Sequence, residues 1–138
     1  MILADSGYWI ALFDRDDRHH ARAVEVSRDL REQLVLTWPV LTETVYFLGA
    51  RYGSDAVQRF LELGEHGGYR IHPLNEHDLP RLRALTKKYA SLPMDLADAS
   101  LVLLAEQTGE GRILSTDQRS FRTYRFKHRK PFRNLLLG

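Results

Sequence analysis

Apolar positions change their period along this chain, and each change marks an element. Ile2-Leu3-Ala4 is a short apolar run closed by Asp5, which predicts a buried first strand. Ser6 to Phe13 then reads as a short helix. Asp16 and Asp17 stand where an N-cap belongs, ahead of a helix over roughly 18–32 with Ala21, Val24 and Leu30 among charges. Leu34 to Thr37 predicts a second strand. Pro39 suits the first turn of a helix that runs to about Tyr52 and stops at Gly53. Ser54 or Asp55 caps another, ending near Gly64. Tyr69 to His72 predicts a third strand. Leu79, Leu82 and Leu85 give helical spacing within Glu76 to Tyr89, with Pro80 in the first turn. Asp95 caps a very apolar helix from Leu96 to Gln107, ended by Gly109. Arg112 to Ser115 predicts a fourth strand and Phe121 to Phe126 a fifth. The last dozen residues read as either an edge strand or a docking tail. Strands alternating with helices imply right-handed crossovers, hence an α/β fold with a mostly parallel central sheet covered on both faces.

Length narrows the picture to one domain, 1–138, because 138 residues fit one sizeable core. Cysteine is absent, which excludes disulfides, zinc–thiolate sites and thiol chemistry. No basic start is followed by an apolar stretch, and no apolar run reaches the roughly 18 residues of a membrane helix, so a cytoplasmic protein without membrane contact is expected. The net charge of +2 hides an asymmetry. Residues 1–111 hold 12 Lys/Arg against 17 Asp/Glu, and residues 112–138 hold eight bases against the single acid Asp117. A basic tail on an acidic body points to a polyanion such as nucleic acid, or to an acidic partner surface.

Chemistry enters through four carboxylates. Ligands of open parallel sheets bind beyond the carboxyl ends of the strands. Asp5 ends strand one and Asp117 follows strand four, so two acids share one sheet edge if those strands are neighbours. Either alone is equally accounted for as a turn or cap residue. Glu43 has Val40, Tyr46 and Phe47 one turn away, and a charge on an apolar face calls for a partner or a metal. Asp98 sits in an apolar helix with no base beside it, although a first-turn acid also suits the helix dipole. Asp95 is explained by capping, with an outer role at the site as the alternative. Crowded acids repel and hold protons, and a divalent cation removes the conflict. An all-oxygen donor set selects Mg²⁺ or Mn²⁺ over zinc. Asp14 to His20 could pass for a metal cluster, but its irregular spacing favours a solvated helix start. Trp9 and Trp38 read as core or interface residues.

These residues, in this order, resemble a family. Met1-Ile2-Leu3-Ala4-Asp5-Ser6-Gly7 is similar to the opening of a PIN domain. Leu41-Thr42-Glu43 resembles its second acidic motif, Leu96 to Leu101 its third, and Leu114-Ser115-Thr116-Asp117 its fourth. The size and the ending from Arg122 through Leu135 resemble the VapC toxins of bacterial toxin–antitoxin pairs. The resemblance implies a PIN-like three-layer α/β/α sandwich and a Mg²⁺- or Mn²⁺-dependent endoribonuclease. It makes Asp5 and Asp98 the main metal ligands, has Asp117 complete or flank the site, and has Glu43 orient water or a second ion. Thr116 matches a hydroxyl position beside the last acid; the roles of Asp95 and Ser120 stay open. It also implies a homodimer and a VapB-like antitoxin that blocks the site. Arg119, Arg122, Arg125, Lys127, Arg129 and Lys130 are the candidate RNA contacts, at least some of them bordering the acidic cleft.

Three rivals fit less well. A haloacid-dehalogenase-type phosphatase wants a second Asp two residues after Asp5, where Gly7 stands. A response-regulator receiver wants a central phosphorylatable Asp with a lysine beside it, and neither strand two nor strand three ends that way. A non-catalytic dimeric module gripping nucleic acid or a partner through the tail should keep its affinity when the acids become Asn or Gln.

Overall fold

Three residues of the N-terminal strand organise the molecule. The computed structural model describes residues 1–138, and β1 (Ile2–Ala4) is buried at every position. It lies between β2 (Leu34–Leu36) and β4 (Arg112–Leu114), with Leu3 opposite Val35 on one side and Ile113 on the other. Adding β3 (Arg70–Ile71) and β7 (Arg133–Asn134) gives a five-stranded sheet of order β3-β2-β1-β4-β7, parallel throughout. A strand buried on both faces needs no polar alternation, which is why Ile-Leu-Ala and Leu-Val-Leu serve.

The crossovers are helical. α1 (Ser6–Phe13) and α2 (His20–Asp29) follow β1; α3 (Trp38–Tyr52) and α4 (Ser54–Glu65) follow β2. A 3₁₀ turn over Glu76–Asp78, α5 (Leu79–Lys88) and α6 (Leu96–Thr108) join β3 to β4. Pro80 does fall in the first turn of α5. Asp95 caps α6, accepting from the Asp98 N–H, and Gly109 closes it in the left-handed conformation. α6 is buried from Ala99 through Ala105, which explains its continuous apolar sequence. The buried Thr37 and Ser100 hydroxyls meet at 2.6 Å and tie the start of α3 to α6.

Three segments differ from the sequence reading. α2 begins at His20, because Asp17 accepts from the His19 N–H and spends the capping residues on a turn. Nor is Asp14 part of a solvated start: it is buried and held by Tyr52 and Arg51 at the end of α3. The first half of the strand expected over 121–126 is the end of α7 (Gln118–Thr123), nucleated when the Asp117 carboxylate accepts from the Ser120 N–H. Only Arg125–Phe126 is extended, as β5, and it pairs antiparallel with β6 (Lys130–Pro131) in a separate hairpin. The final segment is indeed an edge strand, β7. No helix is long and apolar enough to cross a membrane.

Candidate active site

Parallel pairing of β1 with β4 carries Asp5 and Asp117 to the same edge of the sheet. Asp5 caps α1, with Oδ1 accepting from the Ser6 N–H at 2.8 Å. Its Oδ2 accepts from the buried Ser115 hydroxyl at 2.9 Å, and the same Ser115 Oγ accepts from the Asp117 N–H at 3.0 Å. One hydroxyl therefore sets two acids relative to each other. Asp5 is only 5% exposed, and burial, opposed by these hydrogen bonds and aided by the charges of Asp95 and Asp117, pushes its carboxyl up to about 6.

α6 delivers Asp98 in its first turn. The Tyr124 hydroxyl donates to Asp98 Oδ2 at 2.6 Å, while Oδ1 takes no hydrogen bond. Burial first, then the charge of Asp5, push the Asp98 carboxyl up to about 8. Glu43, on α3, is exposed at the rim, not enclosed by apolar neighbours as its sequence context suggests. Tyr46, one turn away, is 79% exposed, so α3 turns this stretch outward. Partial desolvation, with Asp95 and Asp5 adding repulsion, raises the Glu43 carboxyl to about 7. Asp95 itself is exposed, but its charge is felt at Asp5, Glu43 and Asp98. Five acids therefore share one field, and none of them forms a salt bridge.

The donor set is entirely oxygen, unpaired with any base and strained by its own charge. Donors of this kind could serve a hard divalent cation. No three of these side chains are arranged so that they could hold a metal ion as they stand; Asp5 turns to Ser115 and Asp98 to Tyr124. A groove of about 480 Å³ adjoins it, lined by Trp38, Pro39, Thr42, Glu43, Asp95 and Leu96 among others. Trp38 is 57% exposed there, whereas Trp9 is buried in the core.

Sequence reasoning missed three supporting residues. Ser115, not Thr116, bonds Asp5; Thr116 Oγ1 packs where any side chain at Gly7 would sit, 2.1 Å from an added Cβ. Tyr124 is fully buried, edge-on to Tyr89 and Phe121, which aims its hydroxyl at Asp98. Asn134 of β7 grips Ser115 from the other side, accepting from its N–H at 3.2 Å and donating to its C=O at 2.9 Å. A serine between an apolar strand and an Asp was the one available signal. Tyr124 and Asn134 lie 26 and 19 residues from the groups they hold, and their local sequence carried no sign of those contacts.

The basic residues divide. Arg119 is exposed on α7, two residues past Asp117. Arg122 donates to the Gly138 C=O, and Arg125 caps the carbonyls of Arg122, Thr123 and Tyr124. Lys127, Arg129 and Lys130 are not brought to the acids: the Lys127 N–H donates to Glu106, near the far end of α6. Arg112 is bound to Glu32 and Glu110.

The Ribonuclease VapC26 of Mycobacterium tuberculosis is 26% identical over 124 residues, spanning 90% of this chain and 92% of that protein. The crystal structure of Mycobacterium tuberculosis VapC20, a sarcin–ricin loop cleaving toxin, superposes with a TM-score of 0.79 at 17% identity, over 86% of this chain and 92% of that one. At that identity the superposition speaks for the fold alone. The model of the PIN domain matches residues 2–127. That match spans most of the chain, and the chain belongs to the PIN-domain family.

Proposed function

We propose that this chain is a divalent-metal-dependent endoribonuclease and the toxin of a toxin–antitoxin pair. The observation that carries the reading is the convergence of Asp5, Asp98 and Glu43, all with raised pKa values and none with a basic partner. Asp5 and Asp98 would hold Mg²⁺ or Mn²⁺, with Asp117 flanking. A bound cation of this kind neutralises phosphate charge and lowers the pKa of water at neutral pH. Ser115 and Tyr124 hold the inner carboxylates in place, so little reorganisation is left for substrate binding. Glu43, at the rim with its carboxyl raised to about 7, would accept a proton from water. Trp38 offers a face on which a base can stack, and Arg119 a cation for a phosphate.

Similarity to a protein named Ribonuclease VapC26 supports RNA as substrate and a VapB-like antitoxin as partner. An acidic concavity of this kind suits a plug of arginine, which pairs bidentately with carboxylates and keeps its charge. A homodimer and a cytoplasmic location belong to the same reading. Labelled RNA incubated with Mg²⁺, Mn²⁺ or EDTA, with wild type, Asp5→Asn and Asp98→Asn, tests the enzyme. Cleavage that survives EDTA or either substitution at near wild-type rate rejects the site. Growth arrest on expression in a bacterium, relieved by Asp98→Asn, tests the toxin.

A further inference from the structure

The hairpin β5–β6 carries a cationic tip that the acidic site does not use. Its three-residue turn, Lys127-His128-Arg129, leads into Lys130, and all four side chains are exposed. None of them forms a salt bridge. Lys127 and His128 both adopt positive φ, 49° and 69°, a conformation that side-chain-bearing residues rarely hold. The fold enforces it. The Lys127 N–H is fixed by Glu106, which is itself clamped by Arg81 through two hydrogen bonds. Below the turn Phe126 packs on Phe132 and fills the space beside Gly111, where an added Cβ would lie 2.7 Å from its ring. The tip is thus a braced display of charge, and strain of this sort concentrates at functional sites.

Its location separates it from the chemistry. Glu106 lies eight residues along α6 from Asp98, about 12 Å at the helical rise. Gly111 precedes β4, so the hairpin stands toward the opposite end of the strands from the acids. We propose that this hairpin is a second RNA contact, remote from the acidic site, that grips the backbone of long RNA and does not touch the nucleotides being cut. The inference rests on the ribonuclease reading and adds to it a preference for substrate length. RNA is favoured over an acidic protein because the tip offers charge without apolar surface. Phe126 is 3% exposed, and no large exposed apolar side chain lies within residues 118–138. Protein interfaces draw on buried aromatic and aliphatic anchors, whereas phosphate contacts need only Lys and Arg.

The test compares wild type with Lys127→Gln/Arg129→Gln/Lys130→Gln. Anisotropy would follow a labelled 60-nucleotide RNA of mixed sequence and a labelled tetranucleotide, in EDTA, from 50 to 300 mM NaCl. In a tetranucleotide centred on the acids, the outer phosphates lie one nucleotide away and fall short of the hairpin. The triple variant should bind the long RNA at least ten-fold more weakly at 50 mM NaCl. Its log–log salt slope should be shallower by about 2, the release expected of three single-strand contacts. Binding of the tetranucleotide should stay within two-fold. Arg129→Gln alone, which touches no hydrogen bond, should reproduce about a third of the slope change and guards against misfolding of the triple variant. An unchanged slope for long RNA overturns the proposal and leaves an acidic protein as the occupant. Equal weakening for both lengths also overturns it, since the charges then act only through the overall field. Mg²⁺-dependent cleavage of the same long RNA by wild type tests the ribonuclease reading separately. Cleavage with equal KM in wild type and variant leaves that reading standing and rejects the hairpin contact; no cleavage by wild type rejects the reading, while the EDTA titrations still decide the hairpin.

Discussion

Replacing Asp98 with Asn should make the metal-free protein more stable at alkaline pH. The carboxyl is harder to ionise in the fold than in the unfolded chain, rising from 3.8 to about 8. Between those values the native state holds a proton that the unfolded chain has lost, so stability falls as pH rises through the window. Each unit of displacement is worth about 1.4 kcal/mol, which sets a ceiling on the order of 6 kcal/mol. Three effects lower it. Water reaches the half-buried carboxylate, the charge regains up to about 1 kcal/mol from the α6 dipole, and neighbouring acids relax. A net gain of about 1–2 kcal/mol at pH 8.5 remains, or roughly 4–8 °C in Tm for a chain of this size. Asn preserves the acceptor for the Tyr124 hydroxyl, so packing is conserved. Thermal melts in EDTA at pH 4, 6 and 8.5 should show no gain, a partial gain and the full gain. In excess Mn²⁺ the order should reverse, because a ligand at 100 times its Kd adds about 2.7 kcal/mol to the state that binds it. A variant less stable than wild type at pH 8.5, or a gain independent of pH, would refute the electrostatic account.

Mn²⁺ affinity of wild type, read by calorimetry, should fall as pH drops from 8 to 6, since the carboxyls of Asp98, Glu43 and Asp5 protonate at about 8, 7 and 6 and binding requires their charged forms. Tyr124→Phe removes the hydrogen bond that lowers the Asp98 pKa, so the midpoint of that profile should move to higher pH, and an unmoved midpoint would deny the contact any role. Asn134→Ala frees both backbone groups of Ser115; Mn²⁺ affinity should drop about ten-fold while KM for RNA changes little, and a pure loss of Tm with normal Mn²⁺ binding would make Asn134 merely structural. Gly7→Ala places a Cβ 2.1 Å from Thr116 Oγ1, so the Thr116 side chain beside Asp117 must shift, with a Tm reduction matching about 1–3 kcal/mol and impaired cleavage.

Legibility in the sequence followed locality. Asp5 and Asp95 announced themselves because capping and strand ends are decided within a few residues, and the structure has both where the pattern puts them. Asp117 was visible for the same reason, yet its capping of Ser120 turned an apparent strand into α7, a competition that alternation alone does not resolve. Glu43 was singled out for its apolar neighbours; Val40 is buried but Tyr46 faces solvent, so its desolvation is only partial, and tertiary placement adds the charges of Asp95 and Asp5. Ser115, Tyr124 and Asn134 act through contacts spanning 19 to 110 residues. The basic tail read as one patch because charge was counted along the chain; a helix, a hairpin and an edge strand then sent its members to different ends of the molecule.

The central position of β1 also fixes a timetable. β1 is the central strand, paired with β2 on one side and β4 on the other, and β4 follows it by more than a hundred residues, so its pairing waits for that much chain. Asp5 is made 110 residues before Ser115, whose hydroxyl holds it, and the grip on Ser115 belongs to Asn134, later still. Long-range parallel pairing of this kind is slow to form. The acidic cluster is consequently among the last features to assemble, and a partly made chain, still threaded through the machinery that builds it, carries the acids without the arrangement that gives them chemistry.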